Sequence, residues 1–272
     1  MQKNLIISAA CGFGVQQLEL FIRSLRKHYN EDICFIIGEN DNEIEKELKR
    51  YGCICIKKNV DKRDIQLKRY AYFLDFINLK NYRRILFCDS RDIYFQANPF
   101  SYEYKGSINF FLEDKKIVDC PFNSEWMIGT YGRDVYKKLS NNIISCGGTI
   151  LGNQKSIEEF LRLMIQETNT YKFKKRLKYL LTFRRDPKAR GSDQSHGNFI
   201  AHNKLIKNTF FYSNESGPVA TIYYLKKINF DENLQLLNSN NQPYAIVHQY
   251  DKRWDIMKES VNHLKKKLNI KI

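Results

Sequence analysis

Short apolar runs alternate with amphipathic stretches through the first half of the chain, and this rhythm limits the folds open to it more than any other feature. Leu5 to Ser8 reads as a strand, and Val15, Leu18, Phe21, Ile22 and Leu25 then recur at helical spacing on one face. Ile33 to Ile37 is a second strand, and Asp41 can cap a helix that turns Ile44, Leu48 and Tyr51 inward. Cys53 to Ile56 is a third strand, a helix after Asp64 carries Ile65, Tyr70, Phe73, Leu74 and Ile77, and Ile85 to Cys88 is a fourth strand. Strands that are apolar along both faces need cover on both sides, and parallel neighbours need a crossover long enough to hold a helix. The pattern predicts an α/β fold with a mixed, mainly parallel sheet flanked by helices, binding its ligands beyond the carboxyl ends of the strands.

Beyond the fourth strand the rhythm loosens. Ile108 to Leu112, Thr149 to Leu151, Thr209 to Tyr212 and Tyr244 to Val247 read as further strands, separated by helices at Ile157 to Glu167 and after Ser192. No linker, repeat or Pro/Gly-rich boundary divides the chain, and its 272 residues suit one α/β domain, 1–272. Tyr171 to Arg190 is distinct: Lys172, Lys174, Lys175, Arg176, Lys178, Arg184, Arg185, Lys188 and Arg190 alternate with Phe173, Leu177, Leu180, Leu181 and Phe183. It reads as a basic helical insertion or surface helix, and 256–272 reads as a C-terminal helix. The seven cysteines show no CxxC pair and no zinc spacing, which predicts reduced, buried thiols in a cytoplasmic setting. No apolar run approaches a membrane span, and the run from Leu5 to Ala10 is too short for a signal-peptide core.

A net charge of +15 draws polyanions, whether nucleic acid, anionic membrane or phosphorylated small molecules. Nucleic acid is not the expected partner, because no zinc finger, RNP-like aromatic pattern or basic-zipper region accompanies the charge.

The candidate chemistry begins where the fourth strand ends, in Asp89-Ser90-Arg91-Asp92. Residues three apart point to opposite faces of a straight strand, but a turn after Asp89 lets both carboxylates converge. Two such acids suit a hard cation, Mg²⁺ or Mn²⁺; equally, they can cap the turn while Arg91 pairs with one of them. Gly147 and Gly148, in Ser145-Cys146-Gly147-Gly148-Thr149, permit close backbone approach to a ligand, or else form a bulge or tight turn. Ser192 and Asp193 are ordinary helix-start residues, yet Asp193 and Gln194 also suit a reacting centre. His248 ends an apolar strand, as a metal ligand or as a structural histidine, while His196 and His202 read as surface or packing residues. Arg253 can meet a diphosphate bidentately or be a solvated helix-start charge. Between the first strand and helix, Ala9, Ala10, Gly12 and Phe13 offer small residues and a ring for stacking. This loop is neither GxGxxG nor a P-loop, so phosphates are expected to rest on metal rather than on a glycine cradle. Arg69, within Lys68-Arg69-Tyr70, reads by itself as plain surface.

Taken in order, these elements resemble nucleotide-sugar-dependent glycosyltransferases of the GT-A fold, a Rossmann-like class with a DxD acid pair. The frame Asp89-x-x-Asp92-x-x-Phe95-Gln96-x-x-Pro99-Phe100 departs from strict DxD by one residue. The glycine element, Ser192-Asp193-Gln194 with Asn198, and Val247-His248 followed by Arg253 come next, as in that family. The resemblance implies a nucleotide-binding half over 1–100 and a donor-sugar and acceptor half over 101–255. It implies Mn²⁺ or Mg²⁺ on Asp89, Asp92 and His248, and Asp193 and Gln194 at the reacting centre. The donor would be bound by Ala9, Ala10, Gly12, Phe13, Arg69, Asp89, Ser90, Gly147, Gly148 and Arg253. It implies transfer of a sugar from a nucleotide diphosphate to a hydroxyl of a glycan or lipid-linked acceptor, with a lean toward retention from the Asp193-Gln194 element. A bacterial enzyme of surface polysaccharide or lipooligosaccharide assembly is expected, cytoplasmic or peripheral at the inner face of the membrane, where 171–190 would meet anionic lipid. Two rivals stand beside it. A nucleotidyltransferase should carry a basic glycine-rich loop after the first strand, which Gly12-Phe13-Gly14 lacks. A basic nucleic-acid-binding protein leaves the acidic and glycine elements unexplained.

Overall fold

The computed structural model describes residues 2–60, 64–182 and 191–271. The first half runs β1 (Leu5–Ala9), α1 (Val15–Arg26), β2 (Asp32–Gly38), α2 (Asn42–Arg50), β3 (Ile54–Lys58), α3 (Ile65–Ile77), β4 (Arg84–Cys88) and β5 (Ile93–Phe95). The second continues with β6 (Ile108–Lys116), α4 (Pro121–Tyr131), α5 (Arg133–Leu139), β7 (Ile143–Asn153), α6 (Gln154–Thr182) and α7 (Ser192–His202). It closes with β8 (Thr209–Tyr212), β9 (Val219–Thr221), β10 (Asn229–Phe230), β11 (Leu236–Leu237), β12 (Ile246–His248) and α8 (Trp254–Lys267).

Seven strands form the main sheet in the order β3-β2-β1-β4-β7-β6-β8. β1 pairs in parallel with β2 and β4, β2 with β3, and β6 with β8, while β7 runs antiparallel to both β4 and β6. The sheet is therefore mixed and mainly parallel, flanked by helices, as the apolar rhythm requires. Side chains alternate along each strand, so Ile6, Leu86 and Phe35 pack under α1 and α2 with Phe21, Ile22 and Leu48. Leu5, Ile7, Ile36, Ile85 and Phe87 face the other way, under α3 and α6, against Phe73, Ile77, Phe160 and Met164. β1, β2 and β4 are thus buried on both faces, the physical reason their sequences are almost continuously apolar, whereas β3 and β8 at the sheet edges are half-buried.

The chain builds outward from β1 to β2 and β3, then returns to lay β4 on the other side of β1. That reversal opens a crevice beyond the carboxyl ends of β1 and β4, the place where open α/β sheets bind ligands. A second, small sheet, β5-β12-β9, stands at the same end. Its register sets His248 opposite Ile93.

Two expectations are modified. The helix at Ile157 to Glu167 and the described part of the basic segment are one continuous helix, α6; residues 183–190 of that segment lie outside the described residues. Asp41 does sit at the start of α2, but its carboxylate accepts the amides of Gly12 (3.0 Å) and Gly38 (2.8 Å) instead of capping the helix. All seven cysteines are free thiols. Among the described residues no helix is long and apolar enough to cross a membrane.

Candidate metal centre and its flanking cavities

The turn after β4 is fixed by backbone partners. Ser8 Oγ donates to Cys88 O (2.6 Å), Ser90 Oγ donates to Ala9 O (2.9 Å), and Asp89 N donates to Gly148 O (2.9 Å). Gln249 N donates to Asp92 O (2.8 Å), tying the turn to the residue after β12. These bonds bring Asp89, Asp92 and His248 together: His248 Nε2 stands 3.7 Å from Asp89 Oδ2 and 3.7 Å from Asp92 Oδ1. Ligand atoms of the three lie within 4.8 Å of one another, a group able to hold a metal ion.

The donor set fits a divalent cation. His248 is buried and its Nε2 has no hydrogen-bond partner. Its Nδ1 faces Cys146 Sγ at 3.3 Å. A buried imidazole oriented by its other nitrogen, with Nε2 turned toward two carboxylates, matches a ligand histidine. Gly148 keeps this space open, since a Cβ there would stand 2.7 Å from both Asp89 Oδ2 and His248 Nε2. Burial opposes the charge on His248, but Cys146, Asp92 and Asp89 outweigh it and raise the imidazole well above its ordinary value. Burial likewise opposes ionisation of Asp89, and Arg69 and His248 outweigh it and hold the carboxyl far down. Asp92 is pushed up by burial, with the Asp89 charge adding to the effect.

Arg69, on α3, links this group to α7. Its guanidinium lies 2.7 Å from Asp89 Oδ1 and 3.5 Å from Asp193 Oδ2, over the ring of Phe87. Burial raises Asp193 above the usual carboxylate range while Arg69 draws it back. Gln194 lies beside Asp193 but uses its amide on the sheet: Oε1 accepts Gly147 N (2.9 Å) and Nε2 donates to Ser145 O (2.8 Å). Asn198 Oδ1 accepts Ser145 N (2.8 Å), so one face of α7 is fastened to β7 like an extra strand. A Cβ on Gly147 would stand 2.6 Å from Gln194 Oε1. The two glycines lie within β7, and what they let approach is this chain's own Gln194, Asp89 and His248.

Two cavities meet at Asp89 and Gln66. The first, about 400 Å³, is walled by Ala9, Cys11, Phe13, Gln17, Arg69 and the turn from Asp89 to Asp92. The second, about 390 Å³, is walled by Asp193, Gln194, Glu113, Trp126, Tyr223 and Lys252 among others. Of the residues singled out in the sequence, Ala9, Phe13, Arg69, Asp89, Ser90 and Asp92 line the first, and Asp193 and Gln194 the second. Ala10 is buried behind the wall, and Gly12 adopts a φ of 68° as its amide turns to Asp41. Lys252, rather than its neighbour Arg253, lines the second cavity. His196 is buried against Tyr131, and His202 stacks on Phe211, both packing residues as expected.

Sequence reasoning passed over Glu113, Gln66, Trp126 and Tyr223. Glu113 had a signal, because it follows the apolar run Ile108 to Leu112 just as Asp89 follows Ile85 to Cys88. The aromatic residues had none, since a ring on a helix reads as core. No protein-family model matches this chain, and no curated protein matches its sequence.

Proposed function

We propose that the protein is a metal-dependent glycosyltransferase of the GT-A type, moving a sugar from a nucleotide diphosphate sugar to a hydroxyl of a glycan or lipid-linked acceptor. The observation that carries this reading is the Asp89, Asp92 and His248 group, with its unpartnered Nε2, at the seam between two cavities beyond β1 and β4. A cation on these residues, Mn²⁺ or Mg²⁺, would offset the charge that develops on a leaving diphosphate. The first cavity takes the nucleotide, with Phe13 and Ala9 beside base and ribose. Arg69 holds Asp89 and Asp193 in fixed relation, so the acid at the reacting carbon keeps its place relative to the phosphate-binding acids. Asp193 acts there as base, nucleophile or orienting group, and Gln194 anchors it through β7. The likeness of Ser192-Asp193-Gln194 to retaining enzymes favours retention.

Thermal stabilisation by a panel of nucleoside diphosphates and nucleotide sugars, with and without Mn²⁺, tests the reading. One nucleotide should stabilise the protein only with the cation, and Asp92→Ala should abolish the effect; equal stabilisation in chelator excludes the metal assignment. Asp193→Asn should keep nucleotide binding and the melting temperature while turnover falls about 10²-fold or more. If turnover per folded molecule is unchanged, Asp193 is a helix-start residue only.

We further infer that α6 docks on an anionic membrane surface. Phe173, Leu177 and Leu180 are exposed at 69%, 47% and 58%, among Lys172, Lys174 and Arg176.

A further inference from the structure

The second cavity contains an acid that the transfer reaction, as assigned above, leaves without a task. Glu113, in β6, is only 6% exposed, yet it forms part of the cavity wall. Its carboxyl hydrogen-bonds the thiol of Cys146, a weak donor whose sulfur also lies 3.3 Å from His248 Nδ1. Burial pushes the Glu113 carboxyl up to about 7, with His248 favouring its charge and Asp114 opposing it. A buried carboxyl with so weak a partner is costly unless something else completes its hydrogen bonds.

One part of that wall is aromatic, formed by Phe122, Trp126, Tyr223 and Tyr224. Trp126 rests on the backbone that leads into Asp193: Gly191 has a φ of 79°, and a Cβ on it would stand 2.6 Å from Trp126 Cε3. Phe122 lies 6.1 Å from Trp126, centroid to centroid, and is 59% exposed. Tyr223, 43% exposed, pairs with Tyr224 at 4.4 Å. Flat rings beside carboxyl groups match a pyranose, whose C–H face is apolar and whose edge is a row of hydroxyls.

We propose that Glu113 is a specificity-determining residue, which takes a hydroxyl of a saccharide ring seated against Trp126 in the second cavity. The inference rests on the glycosyltransferase reading and adds to it the residues that choose the sugar. A carboxyl built to pair with a hydroxyl rejects a ring that lacks it, because both the acid and the cavity then lose their partner. Trp126 supplies area and Glu113 supplies discrimination.

The chain has two tryptophans, so in a Trp254→Phe background the emission reports Trp126 alone. The probes are an array of defined oligosaccharides with their monosaccharides and deoxy analogues, and, separately, nucleoside diphosphates with Mn²⁺. A saccharide that shifts Trp126 emission should bind about tenfold or more weakly to Glu113→Gln, and one of its deoxy analogues should bind that variant and the parent alike. Nucleoside diphosphate affinity in the first cavity and the melting temperature should stay unchanged. Equal saccharide affinity in the parent and Glu113→Gln overturns the proposal. So does a protein that binds a nucleoside diphosphate while no saccharide on the array moves Trp126 emission. Failure of every nucleotide to bind sinks the transferase reading alone, and the saccharide titration then still decides the role of Glu113.

Discussion

At the scale of single residues the site is a problem of space as much as of charge. Gly148 is the clearest case, because its missing side chain is the room in which Asp89 and His248 face each other. Gly148→Ala keeps backbone angles that a strand accepts, but puts a methyl 2.7 Å from Asp89 Oδ2 and His248 Nε2. Mn²⁺ affinity, read by calorimetry, should fall at least about tenfold with little change in melting temperature. An unchanged affinity would show that the three side chains do not share a cation. Asp89 and Asp92 were legible in the sequence because an apolar run ending in acids has no packing reason to do so. The glycine pair was legible as a close approach, but not what approaches, since Gln194 and His248 are 47 and 100 residues further along the chain. Glu113 carried the same signal as Asp89 and was masked by Asp114, Lys115 and Lys116, which made it look like the start of a solvated loop.

At the scale of elements, periodicity found what is long and missed what is short. β1 to β4, with their helices, could be read because each buries enough side chains to leave a pattern. β5 and β9 have three residues each, too few for any alternation to show, yet their pairing with β12, which overlaps the run read as a strand from Tyr244 to Val247, is what delivers His248 to Asp92. Three helices, two of which wall the second cavity, are tied by a partly buried network that only the structure reveals. Tyr131 Oη of α4 lies 2.9 Å from Glu167 Oε2 of α6 and 2.7 Å from His196 Nδ1 of α7. Burial lowers His196 from the ordinary 6.5 to about 4, so the folded protein keeps it neutral where the unfolded chain takes up a proton. A depressed histidine stabilises fully above the unfolded value, and that stabilisation is lost as pH falls from 6.5 toward 4. The loss from this one group is of the order of 3 kcal/mol. Urea titrations between pH 7 and 4 should show a shallower decline in His196→Gln than in the parent. Parallel declines in the two proteins would remove His196 from the account.

At the scale of the whole molecule, the proposed membrane contact of α6 rests on charge and shape together. The net charge of +15 is spread along the chain, but α6 places Lys172, Lys174 and Arg176 beside apolar side chains that the fold leaves uncovered. Tyr171 shows what packing against the domain looks like, at 7% exposed; Phe173 and Leu180, further along the same helix, are 69% and 58% exposed. A purely structural helix would bury those side chains or replace them with polar ones. Basic residues near an anionic surface contribute about 1 kcal/mol each, so changing Lys172, Lys174 and Arg176 together to Gln should weaken vesicle binding about a hundredfold. Sedimentation with phosphatidylglycerol vesicles should carry the parent protein down, increasingly with anionic lipid and less as salt screens the attraction. Neutral phosphatidylcholine vesicles should carry down little. A triple variant that sediments like the parent would place the attraction elsewhere on the surface. A parent that stays in solution at physiological salt would leave the exposed apolar side chains of α6 without a membrane to meet.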